Sequence, residues 1–521
     1  MQDQSIPTIQ TPPTREASSN LAPDDFRALG HDLVDRIADF QARLPTLPVT
    51  TGESPATLRA LLPIGGLPER GAEPGALLAD TAEMLFAHSL FNGHPRFFGY
   101  VTSSPAPLGM LADLLAAAVN PNLGLFTLGP MATEIEAQAV RWIAELIGYP
   151  TDCGGLLVSG GNMANFVGLL AARTRALGQD ARSQGMGVGE GRLRIYASSE
   201  THTWLQKTTD LCGLGSDSIS WIPADSMGRI TVDAVRARIT ADRARGYIPF
   251  CVIGTAGTVA TGAVDPLLEL AELCREQGLW FHVDGAYGGF AAALAGDDHE
   301  DHGVSVPDDL RGIALADSVA IDPHKWLYSP LEAGCVLVRR RDDLLATFSA
   351  HPTYYHSAEE AEGEPPLNYF EYGPQNSRGF RALKVWLGLR QTGRVGAARQ
   401  IADDIALAET LARSIAETPE LALFTRQLSI ATFRFVPADL TPGTTTTEAY
   451  LDRLNTALVE RLQQGGEVFV SNAVLDGRFL LRACIVNFHT TIADVEALPE
   501  IVVRHGRAVD AELRGSLAQP L

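Results

Sequence analysis

Apolar positions along the chain change their period as they pass from its first residues to its middle. Over residues 24–44, Phe26, Leu29, Leu33, Val34, Ile37 and Phe40 recur at the spacing of one helical face, which predicts an amphipathic helix. The Pro- and Gly-rich stretch 44–75 reads as a loop or extended arm, and 77–89 as a second helix leading into His94-Pro95-Arg96-Phe97-Phe98-Gly99-Tyr100. Thr133-Glu134-Ile135-Glu136 has the form of a capping box, opening a helix that carries Ile135, Val140, Ile143 and Ile147. From about 154 to 340 the pattern becomes short β-rich runs separated by helical segments. The runs are 194–197, 218–222, 250–253, 279–284, 319–321 and 335–338. Continuous apolar strands alternating with helices predict an α/β fold, its mostly parallel sheet covered by helices on both faces. Beyond Arg378 the chain turns helical again and closes with the strand-like runs 467–470 and 479–483, a smaller α+β domain.

Composition narrows the classes. A chain of 521 residues, 45% hydrophobic and 20% charged, is long enough for two or three domains with a sizeable core. A net charge of −21 argues against nucleic acid and anionic membrane surfaces, which select basic patches. The six cysteines are scattered without CxxC spacing, and several lie in apolar runs. They read as buried free thiols of a reducing cytoplasm, with no metal site expected. Residues 1–22 are polar and Pro/Ser/Thr-rich, a disordered lead-in with no signal-peptide pattern. No apolar stretch is long enough to span a bilayer. A soluble cytoplasmic protein is expected.

Candidate chemistry gathers where strands end, the place ligands bind in an open parallel sheet. In Ser318-Val319-Ala320-Ile321-Asp322-Pro323-His324-Lys325-Trp326-Leu327 a lysine follows an apolar strand, where its amine can be desolvated and form a Schiff base. In His282-Val283-Asp284-Gly285-Ala286, alternation puts His282 and Asp284 on one face, and Ala286 leaves room for a flat ring beside them. Ser159-Gly160-Gly161-Asn162 follows an apolar run and precedes a helix, so its backbone N–H groups suit a phosphate. His202, in Thr201-His202-Thr203-Trp204, follows another strand and could stack on a ring. Each admits a plainer reading: a surface lysine, a loop carboxylate, a tight turn, a packed histidine. Together they make the set that pyridoxal phosphate (PLP) requires.

Asp322-Pro323-His324-Lys325-Trp326 and His282-Val283-Asp284-Gly285-Ala286-Tyr287 resemble the signatures of the group II PLP-dependent amino acid decarboxylases, among them the aromatic-L-amino-acid, tyrosine, tryptophan, histidine and glutamate decarboxylases. The resemblance covers nearly the whole chain after the tail, including 94–100, Leu111-Ala112-Asp113, Phe380-Arg381-Ala382-Leu383-Lys384 and Leu481-Arg482. It implies the type I PLP-dependent transferase fold, divided as 1–22 tail, 23–105 N-terminal helical dimerisation segment, 106–385 large PLP-binding domain and 386–521 small domain. It further implies that Lys325 carries the cofactor as a Schiff base and that Asp284 keeps the pyridine nitrogen protonated. His202 would stack on the ring, contact substrate and take part in catalysis, with Ala286 on the other side. Gly160, Gly161, Asn162 and His324 would surround the phosphate, and Thr258 would line the cofactor site.

His351-Pro352-Thr353-Tyr354-Tyr355 resembles the start of the family's mobile catalytic loop, with Tyr354 at the tyrosine that protonates the substrate carbon. A charged stretch, 359–366, follows as a lid would. Members with phenylalanine at that position tend toward oxidative aldehyde formation, so Tyr354 favours simple decarboxylation. Tyr100 and Val101 would line the side-chain pocket, with 122–124 reaching in from the partner of a homodimer. Aromatic-specific relatives usually carry phenylalanine where this chain has Val101, and Asn120-Pro121-Asn122-Leu123-Gly124 is more polar than an aromatic cage. An aromatic L-amino acid is the favoured substrate. Glutamate or diaminobutyrate decarboxylation, an aldehyde synthase and an aminotransferase are the alternatives.

Overall fold

The computed structural model describes residues 17, 19–63, 65–178, 180–187, 192–295, 302–350 and 366–518. The chain divides into two compact units, one of residues 1–47 and 53–90, the other of 48–52 and 91–521.

The first unit is three helices, α1 (Pro23–Arg43), α2 (Pro55–Leu61) and α3 (Pro74–Ala87). Each opens on a proline, whose missing N–H and fixed φ suit a first helical turn. Ser54 caps α2 by accepting from the Thr57 N–H, and Glu73 caps α3 by accepting from Gly75 and Ala76. The stretch expected to be loop throughout therefore contains α2 and the start of α3. In Ser54-Pro55 and Glu73-Pro74 the proline starts a helix rather than breaking one. Phe40 and Phe86 stack at 4.4 Å between α1 and α3, yet α1 buries none of its residues, and Phe26 and Val34 are exposed.

The second unit begins with β1 (Phe97–Phe98), α4 (Pro107–Val119) and α5 (Pro130–Leu146). Its large sheet contains β2 (Gly154–Val158), β3 (Arg192–Ser198), β4 (Ile219–Ile222), β5 (Tyr247–Thr255), β6 (Trp280–Asp284), β7 (Ser318–Ile321) and β8 (Gly334–Val338). They lie in the order β2-β8-β7-β6-β5-β3-β4, with β8 alone antiparallel to its neighbours. Between the strands run α6 (Gly161–Leu177), α7 (Asp180–Gln184), α8 (Trp204–Leu211), α9 (Val232–Ala244) and α10 (Leu267–Gln277), with α11 (Arg341–Phe348) after them. Every residue of β6, β7 and β8 is buried, which is why these strands read as unbroken apolar runs. Alternation divides the core in two. Leu156, Ile195, Ile253, Trp280 and Ala320 face one layer with α6 and α8, while Leu157, Tyr196, Val252, Val283 and Val319 face another with α5, α9 and α10.

One expected helix start is corrected. Gly129-Pro130 opens α5, so Thr133 lies inside the helix with a buried hydroxyl that has no partner among the described residues. Glu136 is not a capping group. It is buried in an ion pair with Arg378, whose two terminal nitrogens both reach its carboxylate. Arg378 also donates to the Leu157 carbonyl (2.7 Å), and the Leu157 N–H donates to Glu136 (2.9 Å).

The long α12 (Ala382–Glu417) turns at Gly393, whose φ of 64° only glycine adopts without strain. Along its length it packs on α4 and α5 and on β9 (Leu421–Gln427) and β10 (Ile430–Phe435). The chain closes with α13 (Thr445–Gln464), β11 (Phe469–Leu475), β12 (Arg478–Cys484) and α14 (Ile492–Ala518). A second sheet runs β1-β11-β12-β10-β9 and takes the short β1 parallel to β11. No helix among the described residues is long and apolar enough to cross a membrane.

Candidate active site

At the carboxyl end of the large sheet lies a cavity of about 560 Å³, within the size range of sites for small ligands and cofactors. The turn after β2 forms one wall. Gly160 has φ 111°, and α6 starts at Gly161, so the helix begins, with its first N–H groups lacking intrahelical partners, at the cavity wall. A Cβ at Gly161 would stand 2.8 Å from Asp322 Oδ2 and 3.1 Å from the Ala286 Cβ. Ser159, Gly160, Gly161 and Asn162 all line the cavity.

Lys325 enters from the turn after β7. Its N–H donates to the Asp322 carbonyl (2.9 Å), its Nζ lies 2.9 Å from Asp322 Oδ2, and its side chain is 17% exposed. The other Asp322 oxygen is buried with no partner among the described residues. His324 donates from Nδ1 to the Ala333 carbonyl (2.6 Å), and burial pushes its pKa down, so the ring is neutral near pH 7. On the next strand, β6, Asp284 accepts from Trp204 Nε1 (2.6 Å) and from the Ala286 N–H (3.2 Å). Beneath it, His282 donates from Nε2 to Asn165 (2.7 Å) and accepts at Nδ1 from Ser318 (2.7 Å), whose oxygen accepts in turn from Trp280. Burial lowers the His282 pKa to about 4, so this relay is built on a neutral imidazole. His202 stands at the cavity edge, and partial burial holds its pKa below the usual imidazole value.

The structure thus brings together Gly160, Gly161, Asn162, His202, Asp284, Ala286, His324 and Lys325 around one space, which Tyr100 and Val101 also line. Tyr100 takes a left-handed φ of 49°, and its carbonyl accepts from Arg482 (2.6 Å). Thr258 is different. Its hydroxyl is 3.0 Å from that of Thr261 and accepts from the Ala263 N–H (3.1 Å), closing a loop, and Thr255 lines the cavity instead. In Gly254-Thr255-Ala256-Gly257-Thr258, Thr255 is the last residue of β5 and Thr258 lies past its end. Asn122 accepts from Gly124 and Arg378 of its own chain (both 3.0 Å). Tyr354 lies outside the described residues, as does the rest of 351–365.

Among the residues that line the cavity and that sequence reasoning did not assign to the site are Asp322, Trp204, Thr255 and Arg482. A signal existed for Asp322, which stands three residues before Lys325 in a turn and so within reach of it. Nothing local could tell that Trp204 reaches Asp284, because they come from α8 and β6.

The residues present fit PLP. Lys325 offers an amine, Asp284 a carboxylate bonded by Trp204, and Gly161 a turn position where a Cβ would crowd Asp322 and Ala286. Two buried oxygens in the wall, Thr255 Oγ1 and Asp322 Oδ1, lack partners among the described residues. Fold and site together define a PLP enzyme of the type I fold. Comparison with known proteins makes this specific: residues 55–436 match the model of the pyridoxal-dependent decarboxylase conserved domain. The chain is 35% identical to an aromatic-L-amino-acid decarboxylase of Bacillus atrophaeus, over 91% of this chain and 94% of that one. An L-2,4-diaminobutyrate decarboxylase of Rhizobium meliloti is 29% identical (96% and 95% covered), and a phenylacetaldehyde synthase of a Rosa hybrid cultivar 26% (96% and 97%). Among solved structures, Oryza sativa TDC with PLP and tryptamine superposes with a TM-score of 0.84 at 27% identity, covering 94% of this chain and 99% of that one. The chain belongs to the pyridoxal-dependent decarboxylase family, and it is a PLP-dependent amino acid decarboxylase.

Proposed function

We propose that this decarboxylase acts on an aromatic L-amino acid, releasing the amine and CO2, and works as a homodimer in the cytoplasm. The chemistry rests above all on Lys325 and Asp284, which reach one cavity from the neighbouring strands β7 and β6. When bound, PLP supplies an electron-poor ring that takes up the electron pair left at Cα as the carboxylate departs. Lys325 would hold the cofactor through its amine until the substrate's amine replaces it. Asp284, oriented by Trp204, would keep a proton on the ring nitrogen. The α6 N-terminus at Gly160-Gly161-Asn162, with His324, would hold the phosphate. His202 would cover one side of the ring and Ala286 the other. Tyr354 would deliver a proton to Cα.

Identity to the Bacillus atrophaeus aromatic-L-amino-acid decarboxylase supports the aromatic substrate. One observation favours a second reading, a basic substrate. Glu332, paired with Arg381 (2.9 Å), lines the cavity beside Leu331 and would offer its second oxygen to a side-chain amine, and a diaminobutyrate decarboxylase is also a relative. The homodimer is supported by an exposed apolar stripe on α4, Leu111, Leu114, Leu115 and Val119, and by α1, which buries none of its residues. Six free cysteines, five of them buried, suit a reducing compartment.

A panel of aromatic, acidic and basic L-amino acids, scored for CO2 and amine, tests the substrate. Turnover of glutamate or diaminobutyrate alone would refute the aromatic reading. Lys325→Ala should abolish turnover, and full activity in that variant would refute the site. Tyr354→Phe should divert product toward aldehyde, consuming O2 and water and releasing ammonia and hydrogen peroxide with CO2. An unchanged amine yield would remove Tyr354 from its role.

A further inference from the structure

Asp404, on α12, belongs to no motif in the sequence, yet it joins two walls of the cavity. Its Oδ2 accepts from both Trp326 Nε1 (3.0 Å) and the Tyr328 hydroxyl (2.6 Å), one and three residues past Lys325. Its Oδ1 accepts from the N–H of Asn487 (3.4 Å), on the segment that follows β12. That segment grips the stretch leading to Tyr100. Asn487 donates to the His94 carbonyl (2.8 Å), His489 to that of Gly93 (3.0 Å) and Thr490 to that of Pro95 (2.8 Å).

The lysine turn needs such a hold. Tyr328 has φ 53°, a region in which a non-glycine residue persists only when its surroundings fix it. Asp404 does this at a cost. It is buried, no ion pair reaches it among the described residues, and burial pushes its carboxyl up to about 7. An apolar residue would fill the same space without that penalty, so packing alone does not account for a carboxylate here. Trp326 also packs on Tyr287 (4.8 Å between rings), and Tyr287 lines the cavity.

We infer that Asp404 is a positioning residue for Lys325: its carboxylate ties the turn carrying the reactive amine to the segment carrying Tyr100. The inference rests on the reading of Lys325 as the cofactor-holding group. It concerns a residue that need not touch cofactor or substrate.

The test uses the PLP-loaded enzyme with Asp404→Asn and Tyr328→Phe, singly and combined. Readouts are the melting temperature, the pH midpoint of the lysine-bound cofactor's absorbance, borohydride trapping mapped to Lys325, and kcat with KM. Asp404→Asn should melt as a folded protein, move the absorbance midpoint by about half a pH unit or more and lower kcat on the order of tenfold, KM being little changed. Tyr328→Phe should have a smaller effect alone and add nothing when combined with Asp404→Asn, since both act through one turn. An unmoved midpoint and kcat in a folded Asp404→Asn would overturn the inference, and so would full additivity. Should that variant not fold, Tyr328→Phe alone, which removes one donor and no charge, decides: an unmoved midpoint overturns the role. Failure to trap Lys325 in the unsubstituted enzyme would overturn the site reading first. Trapping at Lys325 with unmoved variants would overturn only the role of Asp404.

Discussion

His282 illustrates how one side chain is tuned by what encloses it. Its two nitrogens are taken by Asn165 and Ser318, it sits under Asp284, and burial holds its pKa near 4. An unfolded chain returns it to about 6.5, so between those values the unfolded state binds more protons and stability falls as pH drops. The loss should amount to roughly 3 kcal/mol across that window, read from urea midpoints against pH, and His282→Gln should flatten it. A slope of unchanged steepness in the variant would assign the acid sensitivity to other groups. Gly161 makes the steric counterpart. An added Cβ meets Asp322 Oδ2 at 2.8 Å, so Gly161→Ala should weaken PLP binding on the order of tenfold. Cofactor titration of the apoenzyme checks this, and unaltered affinity would mean the cradle has room to spare.

Among elements, the Glu136–Arg378 pair joins α5, β2 and the segment entering α12. Both side chains are buried, so removing one leaves the other charge without compensation. Glu136→Gln should cost about 3–5 kcal/mol in chemical denaturation, and the double change Glu136→Leu with Arg378→Met should recover much of that. A double variant as unstable as the sum of the two single changes would show that the pair's value lies elsewhere. The same residues show why the capping-box reading went astray. Thr133 and Glu136 have the right spacing, but whether a carboxylate caps a helix or meets an arginine 242 residues away is a tertiary matter.

At the scale of the whole molecule, the exposed stripe on α4 is a liability in an isolated chain. Leu114→Glu with Leu115→Glu should give a monomer in light scattering, with activity lost in parallel. A dimer that survives both charges would place the interface on another surface. Most of the large sheet was legible in the sequence, and so was the end of it at which the predicted residues gather, because apolar runs report burial on two faces and strand ends report where ligands bind. Lys325 and Asp284 stand out by local context as charged groups at the ends of apolar strands, and Gly160-Gly161 as a turn that opens a helix. Their convergence was not local. The choice of Thr255 over Thr258 and the Trp204 bond that orients Asp284 depend on where strands β5 and β6 end against one another and on α8. Asp404 was wholly illegible, an acidic residue in a helix whose role exists only because α12 crosses the lysine turn. By itself the sequence determined the periodicities, the layered fold they specify and the chemical groups on offer. Only the tertiary structure decided which groups meet, because hydrogen bonds and ion pairs act over a few ångströms while their partners lie tens to hundreds of residues apart.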